Sequence, residues 1–547
     1  MLKILPKETV SMFTRDGVRL DADLYRPEAA GEFPVLLMRQ PYGRAIASTV
    51  VYVHPTWYAQ QGYLVVIQDV RGRGSSEGEF QLFSQEIEDG FDAVNWAANL
   101  PGSTGQVGMY GFSYQGMTQL YAASTIPSAL KTICPAMMGY DLYADWAYEG
   151  GAFCLQSNLG WAIQLAAETA RLRRDASAHE VLYLASRNLP VYQQSPDLIA
   201  SLKKYLPAQF YYEWLSHSQP GEYWEKLQPN LSKVDLPMLH IGGWFDPYLR
   251  GNLRLYKEMA ARSSYPQHLM IGPWGHLPWS RKVGTVDYGL SASNPVDELQ
   301  IAWFDWVLKG RETSCGHEPP ISLFEMGSNQ WCKFETWPMG NQKSYFLATT
   351  QLAAMREDAG SLIETCPEIS QEDTFVHDPW RPVPALGGHA ATPAGSFDRS
   401  SLEGRTDILT YTSAPLAVDL QIVGEVEVEI FCTADTPSFD LCAVLSEVKP
   451  EGCVYNFTQG YQRVNSSQTP VKISLQATCA KIAKGHALRL SLSAACFPAY
   501  DLNPGTGIAT AEARWMDAQI VTLAVRSGGA SPSQVLLPLS QLGARVR

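Results

Sequence analysis

The sequence contains no apolar run long enough to cross a membrane and no recognisable export signal. Its 547 residues include no uninterrupted apolar stretch near the roughly 18 residues that a membrane-spanning helix requires. The N-terminal segment MLKILPKETVSMFTRDG lacks the apolar core followed by small residues that a signal peptide would show. We therefore expect a cytoplasmic protein that makes no membrane contact.

Paired cysteines and metal-ligand spacing are also missing. The ten cysteines are scattered and form no CxxC motif, which argues against a zinc ribbon or a redox dithiol. The glycine-rich segment GRGSSEG lacks the lysine that a phosphate-binding loop needs. We expect reduced thiols, no bound metal and no cofactor.

Charged residues are sparse and their balance is acidic. They make up 18% of the chain, and the formal net charge is −13. An acidic surface repels phosphate backbones, so the composition argues against nucleic acid as a partner. A hydrophobic content of 46% excludes a disordered chain, and the length suggests roughly two to four domains. The sequence leaves the oligomeric state open, with a homodimer among the options.

Short apolar runs alternate with a helical pattern in the first part of the chain, residues 1–140. FPVLLMRQPYG and GYLVVIQDVRGRG have the continuous apolar character of strands that are covered on both faces. The segment EIEDGFDAVNWAANL, residues 86–100, has the period of an amphipathic helix. Its predicted buried stripe consists of Ile87, Phe91, Val94 and Ala98. The alternation predicts an α/β fold with a largely parallel sheet.

The character of the sequence changes further along the chain. Residues 141–235 contain long aromatic segments of helical period, such as GWAIQLAAETARLRR, and predict a helical insertion. The α/β pattern resumes over residues 236–315. Residues 316–547 contain short alternating segments separated by Pro, Gly and Asp, which are typical of an all-β sandwich or jelly roll. The predicted architecture is an α/β core with a helical cap and a C-terminal β domain.

The stretch GMYGFSYQGMTQ places Ser113 between glycines, after an apolar run and before a helix-forming segment. Glycine and serine mark ordinary turns far more often than active sites, so the pattern alone is weak. A serine hydroxyl is a poor nucleophile at neutral pH unless a base and an orienting group lie within hydrogen-bonding reach. The role of Ser113 therefore depends on its partners.

The ends of the predicted strands indicate those partners, because reactive groups in a parallel sheet lie beyond the carboxyl ends of the strands. Asp246 ends LPMLHIGGWFD and His276 follows HLMIGPWG. His268 lies at the opposite end of its apolar run, and His240 lies inside one, where a buried ring is expected. The order serine, acid, histidine is that of α/β hydrolases. We predict Ser113 as nucleophile, His276 as base and Asp246 as the group that fixes the imidazole tautomer.

Two further expectations concern residues near these motifs. Asp69 also ends an apolar run but precedes Ser113, so the hydrolase order excludes it from the triad. We expect Asp69 to form a structural ion pair with Arg71 that holds the glycine-rich loop. The general motif GxSxG would place glycine where Gln115 stands, and a side chain there is expected to crowd the turn.

The segment GFSYQG resembles the GxSYxG elbow of the CocE/NonD hydrolases. The resemblance runs nearly end to end and includes RDGVRLDADLYRP, QPYGR, QDVRGRGSSEGEF, GGWFD, GPWGH, SLEGRTDILTYTSAPL and FPAYDLNPGTG. It implies an α/β-hydrolase core, a helical cap inserted before the acid strand and a C-terminal jelly roll. It also implies an oxyanion hole formed by the Tyr42 hydroxyl and the Tyr114 backbone N–H. The implied pocket aromatics are Trp146, Trp161 and Tyr248.

These features predict a serine hydrolase that cleaves small-molecule carboxylic esters through an acyl-enzyme. One alternative is an α-amino acid ester hydrolase or acylase, or an X-Pro dipeptidyl-peptidase, which would bind a substrate ammonium group. The neutral Gln115 argues against this alternative, although Asp145 and Glu149 could supply carboxylates. The other alternative is a non-catalytic jelly-roll binding protein, and the intact triad positions argue against it.

Overall fold

The computed structural model describes residues 1–45, 49–338, 340–465 and 469–539. These ranges form a ten-stranded sheet flanked by helices and a thirteen-stranded β region. Within them, no helix combines the length and the apolar character that crossing a bilayer would demand. The predicted α/β class with a β-rich C-terminal region is confirmed.

The N-terminal region supplies the first six strands of the ten-stranded sheet. In chain order its elements are β1 (Glu8–Phe13), β2 (Arg19–Tyr25), β3 (Phe33–Gln40), α1 (Pro55–Gln60), β4 (Leu64–Asp69), α2 (Glu86–Ala98), β5 (Ser103–Phe112), α3 (Tyr114–Ser124) and β6 (Leu130–Ala136). The apolar runs around β3 and β4 are buried on both faces, as their composition predicts.

The following segment is mostly helical. It begins with a π-helical turn at Tyr143–Ala147. Its remaining elements are β7 (Tyr148–Glu149), β8 (Ala152–Phe153), α4 (Leu155–Leu172), α5 (Ala176–Arg187), α6 (Pro196–Tyr205), α7 (Phe210–Ser216) and α8 (Glu222–Leu227). We call this segment the cap.

The chain then returns to the ten-stranded sheet. The elements are β9 (Met238–Phe245), α9 (Leu249–Arg262), β10 (Gln267–Gly275), β11 (Lys282–Val283), β12 (Val286–Asp287), α10 (Val296–Lys309), β13 (Ile321–Glu325) and β14 (Gln330–Phe334). The strand order is β1-β2-β4-β3-β5-β6-β9-β10-β13-β14. Pairing is parallel from β4 to β13 and antiparallel at both edges. The carboxyl ends of β5, β9 and β10 therefore meet at one edge of the sheet.

The ten-stranded sheet continues beyond residue 316, where the sequence pattern places the start of the β domain. Strand β13 pairs in parallel with β10, with Leu269 opposite Ile321, and β14 pairs with β13. The sheet of the α/β core therefore continues to Phe334. Short strands such as ISLFE and QWCKF carry the same pattern whether they join an α/β sheet or an all-β domain, so the sequence pattern could not assign them.

The remaining elements form the C-terminal β domain, in which described strand pairs are antiparallel except β16 with β18. They are β15 (Asn341–Thr349), β16 (Gly360–Ile363), β17 (Gln371–His377), α11 (Ser400–Glu403), β18 (Ile408–Ser413), β19 (Leu420–Gly424), β20 (Glu427–Ala434), β21 (Ser438–Val448), β22 (Val454–Asn465), β23 (Val471–Ser474), β24 (Thr478–Ile482), β25 (Ala487–Ser493), β26 (Val521–Ser527) and β27 (Gln534–Leu539). The last eight residues of the predicted β domain, 540–547, lie outside the described residues.

Three apolar clusters join the parts of the molecule. Cap residues such as Ile163 pack with Met117 of α3 on one face of the ten-stranded sheet. On the opposite face, Trp303 of α10 belongs to a second cluster. A third cluster combines Trp244 of β9 with Leu441 of the β domain, so the carboxyl end of β9 packs directly against that domain.

Helix α2 forms where the sequence predicts it, but its buried stripe differs. The residues facing the core are Glu86, Asp89, Gly90, Ala93, Val94 and Ala97, whereas Ile87, Phe91 and Ala98 are only partly buried. An added Cβ at Gly90 would lie 2.9 Å from the Ala122 Cβ, so α2 approaches α3 closely. Glu86 is buried because Arg39 pairs with it at 2.6 Å. Small residues and a paired carboxylate therefore take the place of large apolar side chains.

Candidate active site

Ser113 occupies the tight turn between β5 and α3. Its backbone angles are φ 60° and ψ −126°, a left-handed φ that a residue with a side chain rarely adopts. Such a strained strand-to-helix turn is the feature by which α/β hydrolases expose a nucleophile above the sheet. The fold thus raises the Ser113 side chain at the carboxyl edge of the strands.

The residues around Ser113 explain the unusual GFSYQG pattern. A Cβ on Gly111 would lie 2.5 Å from the Gln115 Cβ, and one on Gly116 would lie 2.9 Å from the Met138 Cβ. The two glycines are therefore the points of closest approach within the turn and between α3 and the chain after β6. Gln115 fits into the crowded turn because Gly111 has no side chain, and its side-chain oxygen accepts a hydrogen bond from the Phe112 N–H at 3.2 Å.

His276 and Asp246 complete a hydrogen-bonded chain with Ser113. The His276 Nε2 lies 3.1 Å from the Ser113 Oγ, and the His276 Nδ1 lies 2.7 Å from the Asp246 Oδ1. Asp246 is fully buried at the end of β9, whereas the His276 side chain is 26% exposed just beyond β10. Three side chains distant in sequence therefore come within hydrogen-bonding range, as the positions of their strands predict.

The two histidines that the sequence argument set aside lie elsewhere. His240 is buried inside β9, where its Nε2 lies 3.1 Å from the Gln267 Oε1, and burial lowers its pKa to about 4. His268 lies at the start of β10 and packs against Trp303 at a ring distance of 5.1 Å. Burial lowers the pKa of His268 to about 4 as well. Neither ring approaches Ser113.

Asp69 has a different partner from the expected one. The Arg44 backbone N–H donates to the Asp69 Oδ1 at 2.7 Å, and the Arg44 guanidinium forms an ion pair with the same carboxylate. Arg71 instead pairs with Asp89 at 2.6 Å and with Asp16 at 2.7 Å. The Asp69–Arg71 pair is therefore wrong, because the chain turns after Asp69 and directs Arg71 towards α2.

The Tyr42 hydroxyl lies beside Ser113. It accepts a hydrogen bond from the Trp161 Nε1 at 3.1 Å and interacts with the Ser113 side chain. Burial raises the pKa of Tyr42 to about 12. The phenol therefore remains protonated at neutral pH and keeps a proton that it can donate.

Tyr114 presents its backbone rather than its side chain to the same region. Its hydroxyl donates to the Glu86 Oε1 at 2.8 Å, and its ring stacks on Phe83 at 4.8 Å, both in the core. As the first residue of α3, its N–H belongs to the first turn of a helix, whose amides have no acceptor within the helix. The Tyr114 N–H therefore lies at the start of α3 beside Ser113, whereas the Tyr114 side chain packs in the core.

A cavity of about 990 Å³ opens above Ser113 between the sheet, the cap and the β domain. Trp146, Trp161 and Tyr248 all line it. The Trp146 ring lies 4.4 Å from that of Tyr248 and 5.2 Å from that of Trp161, and the Tyr248 ring lies 5.0 Å from the His276 ring. The three aromatics that the resemblance implied therefore line one pocket together with Ser113 and His276.

The wall of this cavity has little charge. Among the residues that the structure describes, the wall includes no aspartate or glutamate. It does include Lys282, which lies at the edge of the cavity. Asp145 is buried away from the cavity and pairs with Arg254 at 3.1 Å. Across the described ranges, no group of three His, Cys, Asp or Glu side chains is arranged to hold a metal ion.

Glu149 lies in a buried node that joins the cap, the core and the β domain. Its Oε2 accepts from the Arg250 Nη1 at 2.8 Å, the His389 Nε2 at 2.9 Å and the Tyr500 hydroxyl at 2.6 Å. Although burial alone would raise the pKa of this carboxyl, Arg250 and His389 lower it to about 2. Glu149 is thus ionised, and its carboxylate already accepts hydrogen bonds from other side chains of the protein.

Gln476 of the β domain is a residue of the site that the sequence argument missed. Its Nε2 donates to the backbone oxygens of Trp244, at 2.8 Å, and of Asp246, at 3.0 Å. The side chain is buried, and it holds the chain segment that carries the acid. A lone glutamine 230 positions from Asp246 carries no motif, so no sequence signal could have identified it.

The chain matches two sequence families and several known proteins. Residues 16–278 match the family described as X-Pro dipeptidyl-peptidase (S15 family), and residues 314–536 match the X-Pro dipeptidyl-peptidase C-terminal non-catalytic domain. Cocaine esterase of Rhodococcus sp. (strain MB1 Bresler) is 29% identical over 562 residues, covering 96% of this chain and 97% of that protein.

Two solved structures share the fold over almost the whole chain. An α-amino acid ester hydrolase superposes with a TM-score of 0.80 at 22% identity, covering 98% of this chain and 96% of that one. An aminopeptidase from the marine sediment archaeon Thaumarchaeota archaeon also gives a TM-score of 0.80, at 20% identity, covering 98% of this chain and 97% of that one.

The parallel sheet, the inserted cap and the strained turn at Ser113 define an α/β hydrolase. Both domain families occur in their expected places, and the similarity to a cocaine esterase spans nearly the full length. The chain belongs to the CocE/NonD family of serine hydrolases. It is therefore an enzyme of this class, which sets aside the alternative of a non-catalytic binding protein.

Proposed function

We propose that the protein hydrolyses carboxylic esters of small molecules through an acyl-enzyme on Ser113. The observation that carries this proposal is the continuous chain of hydrogen-bonding distances, 3.1 Å from Ser113 to His276 and 2.7 Å from His276 to Asp246. A serine hydroxyl needs such a base, and the base needs an oriented partner, before it can attack a carbonyl carbon.

In the acylation step the Ser113 Oγ attacks the ester carbonyl carbon while the His276 Nε2 takes the hydroxyl proton. The carbonyl oxygen becomes an oxyanion, which accepts hydrogen bonds from the Tyr42 hydroxyl and the Tyr114 N–H. The intermediate then collapses, the bond to the leaving oxygen breaks, and His276 gives its proton to that oxygen. The alcohol departs and the acyl group stays on Ser113.

In the deacylation step His276 takes a proton from a water molecule, whose oxygen attacks the acyl carbon. The second tetrahedral intermediate releases the carboxylic acid, and the Ser113 Oγ recovers its proton from His276. Throughout, Asp246 accepts the Nδ1–H of His276, which fixes the tautomer and stabilises the imidazolium. No cofactor enters this proposal.

The cavity supports an apolar or aryl ester as substrate. Its volume of about 990 Å³ suits a drug-sized molecule, and Trp146, Trp161 and Tyr248 provide flat apolar walls. A substrate ammonium group would need a carboxylate at the wall, and the described lining contains none. Since Glu149 and Asp145 are paired with arginines, we rank the amino-ester and aminopeptidase alternatives below the simple ester.

The experiment compares an aryl ester with the matched free-amine amino ester, together with labelling by a fluorophosphonate. We expect turnover of the aryl ester, covalent labelling of Ser113, and loss of both in Ser113→Ala at an unchanged melting temperature. The loss of kcat should be on the order of 10⁴- to 10⁶-fold. Strong preference for the free amine would move the proposal to the amino-ester class, and a folded enzyme that is not labelled would overturn it.

A further inference from the structure

Arg73 is buried with little to satisfy its charge. It lies in the glycine-rich loop after β4, and its side chain is 1% exposed. Its Nη1 and Nη2 lie 3.3 Å and 3.5 Å from the Leu165 backbone oxygen, and its guanidinium carbon lies 4.1 Å above the Phe80 ring. Its Nε has no hydrogen-bond partner among the described residues.

The other buried arginines of the described chain differ from Arg73 in one respect. Each has a carboxylate partner: Arg39 pairs with Glu86 at 2.6 Å, Arg399 with Glu403 at 3.3 Å, and Arg489 with Glu403 at 3.2 Å. Arg73 has no such pair within 4.0 Å in the described ranges. Glu168, the carboxylate that acts on it most strongly, is bonded to Arg171 at 2.7 Å. A buried cation without a partner lowers the stability of the folded state, so its presence here needs an explanation.

The position of Arg73 links it to both proposed oxyanion donors. Leu165, which it contacts, lies one turn of α4 beyond Trp161, whose Nε1 donates to the Tyr42 hydroxyl at 3.1 Å. Phe80, beneath the guanidinium, packs against the Tyr114 ring at 5.8 Å. The unpaired cation is therefore connected to Tyr42 through α4 and to Tyr114 through the Phe80 ring.

We propose that Arg73 supports the oxyanion site electrostatically, its buried positive charge stabilising the negative charge that develops on the substrate carbonyl oxygen. This inference rests on the proposed function. In a poorly hydrated interior a fixed charge acts over a longer distance than in water, and it needs no reorganisation during the reaction. A carboxylate partner would cancel that field, which explains why Arg73 has none.

Two electrostatic effects agree with this role. Burial lowers the pKa of Arg73 to about 10, so the guanidinium keeps its charge at neutral pH. Although burial raises the pKa of Tyr42, the charge of Arg73 acts in the opposite direction, so its field reaches the hydroxyl. Arg73 touches neither the substrate nor the reacting atoms in this scheme and acts as a positioning residue.

The test uses Arg73→Met, which removes the charge at similar length, and Arg73→Lys, which keeps it. For Arg73→Met we expect kcat on an aryl ester to fall roughly 3- to 30-fold at little change in KM. The affinity for an arylboronic acid, which forms an anionic tetrahedral adduct with a serine Oγ, should fall by a similar factor. The melting temperature should stay the same or rise, since an unpaired buried charge is removed. Arg73→Lys should recover most of kcat and of the boronate affinity.

Arg489→Met is the matched control, because it removes a buried arginine that has a carboxylate partner in the β domain. We expect it to lower the melting temperature and to leave kcat per folded molecule unchanged. The inference is overturned if Arg73→Met keeps full kcat and boronate affinity, or if it loses kcat together with thermal stability and Arg73→Lys restores neither. Should the parent enzyme fail to turn over the ester or to label at Ser113, the proposed function itself fails.

Discussion

Ser113 and Asp246 stand at opposite ends of one hydrogen-bonded chain, yet the protein holds them in different ways. Ser113 is positioned by its own turn and by the chain directly after β6, through the left-handed φ of 60°, the close approaches at Gly111 and Gly116, and the Gln115 side chain. Asp246 is positioned by a residue of another domain, because Gln476 bonds its backbone oxygen at 3.0 Å.

The acid side of the site has a second long-range support. Arg250, four residues after Asp246, pairs with Glu149 of the cap. Glu149 also accepts hydrogen bonds from Tyr500 and His389 of the β domain. Ser113 is thus held by its own turn and by the chain directly after β6, whereas Asp246 depends on the packing of the core, the cap and the β domain together. We infer that damage to the β domain affects the acid before it affects the nucleophile.

Among the changes that test this comparison, we expect Asp246→Asn to lower activity the most. The asparagine amide would favour the wrong tautomer of His276, so kcat should fall about 10⁴-fold with little change in KM. The measurement is steady-state turnover of an aryl ester beside a thermal melt. A loss below about tenfold in a folded variant would mean that Asp246 does not orient the base.

The next effect concerns the shared oxyanion site. Tyr42→Phe removes one donor to the developing charge, and we expect kcat to fall about 10²- to 10³-fold while KM changes much less. Trp161→Phe is the control, since it removes the hydrogen bond to the Tyr42 hydroxyl but leaves the hydroxyl in place. If KM rises and kcat does not fall in Tyr42→Phe, the hydroxyl binds the ground state instead.

A smaller effect tests the long-range support of the acid directly. Gln476→Leu removes the donor to the Trp244 and Asp246 backbone oxygens, and we expect kcat to fall roughly tenfold from a misplaced acid. Steady-state turnover of an aryl ester beside a thermal melt measures this loss, and an unchanged kcat in a folded variant would contradict it.

Gln462→Leu provides the matched control for that change. Gln462 is also a glutamine of the β domain, and it donates to the backbone oxygen of Gly150 in the cap at 3.1 Å. We expect its removal to leave kcat unchanged. Equal effects of the two variants would mean that general loosening of the domain interface, and not the position of Asp246, lowers activity.

The same contrast explains how far the sequence could be interpreted. The strands around Ser113, Asp246 and His276 were predictable because apolar runs and their ends fix which residues meet at the edge of a parallel sheet. The Asp69–Arg71 pair failed because adjacency in sequence does not determine direction after a turn, and Arg71 instead reaches Asp89 on α2. Gln476 could not be found, since a single amide that bonds two carbonyls leaves no pattern in its own segment.

The sheet that β13 and β14 join could not be predicted from the sequence for a related reason. A strand of five residues has the same alternation in either sheet, and only its pairing partner decides its domain. Similarly, the buried face of α2 was predicted from residue size, whereas the structure buries small residues and the paired Glu86. Both features depend on tertiary contacts, which local apolar character does not determine.

The smallest effect on activity is expected from the Glu149 node, which instead contributes to stability. Since Arg250 and His389 hold the pKa of Glu149 at about 2, below its usual 4.5, its ionised form stabilises the folded state. That contribution is fully present above about pH 4.5 and is lost as the pH falls towards 2; it amounts to about 3 kcal/mol at most. Glu149→Gln should therefore melt well below the parent enzyme at pH 7, and the gap should narrow between pH 5 and pH 3.

Thermal melts of both proteins across this range measure the gap, with kcat at pH 7 expected to change only a few-fold. Lys226 and Glu222 form an exposed pair on α8 of the cap, so Glu222→Gln serves as a control whose smaller difference should be removed by salt. A gap for Glu149→Gln that stays constant with pH would show that shape, and not charge, holds the three parts together. In that case the support of the acid would come from Gln476 and the apolar contact of β9 with the β domain alone.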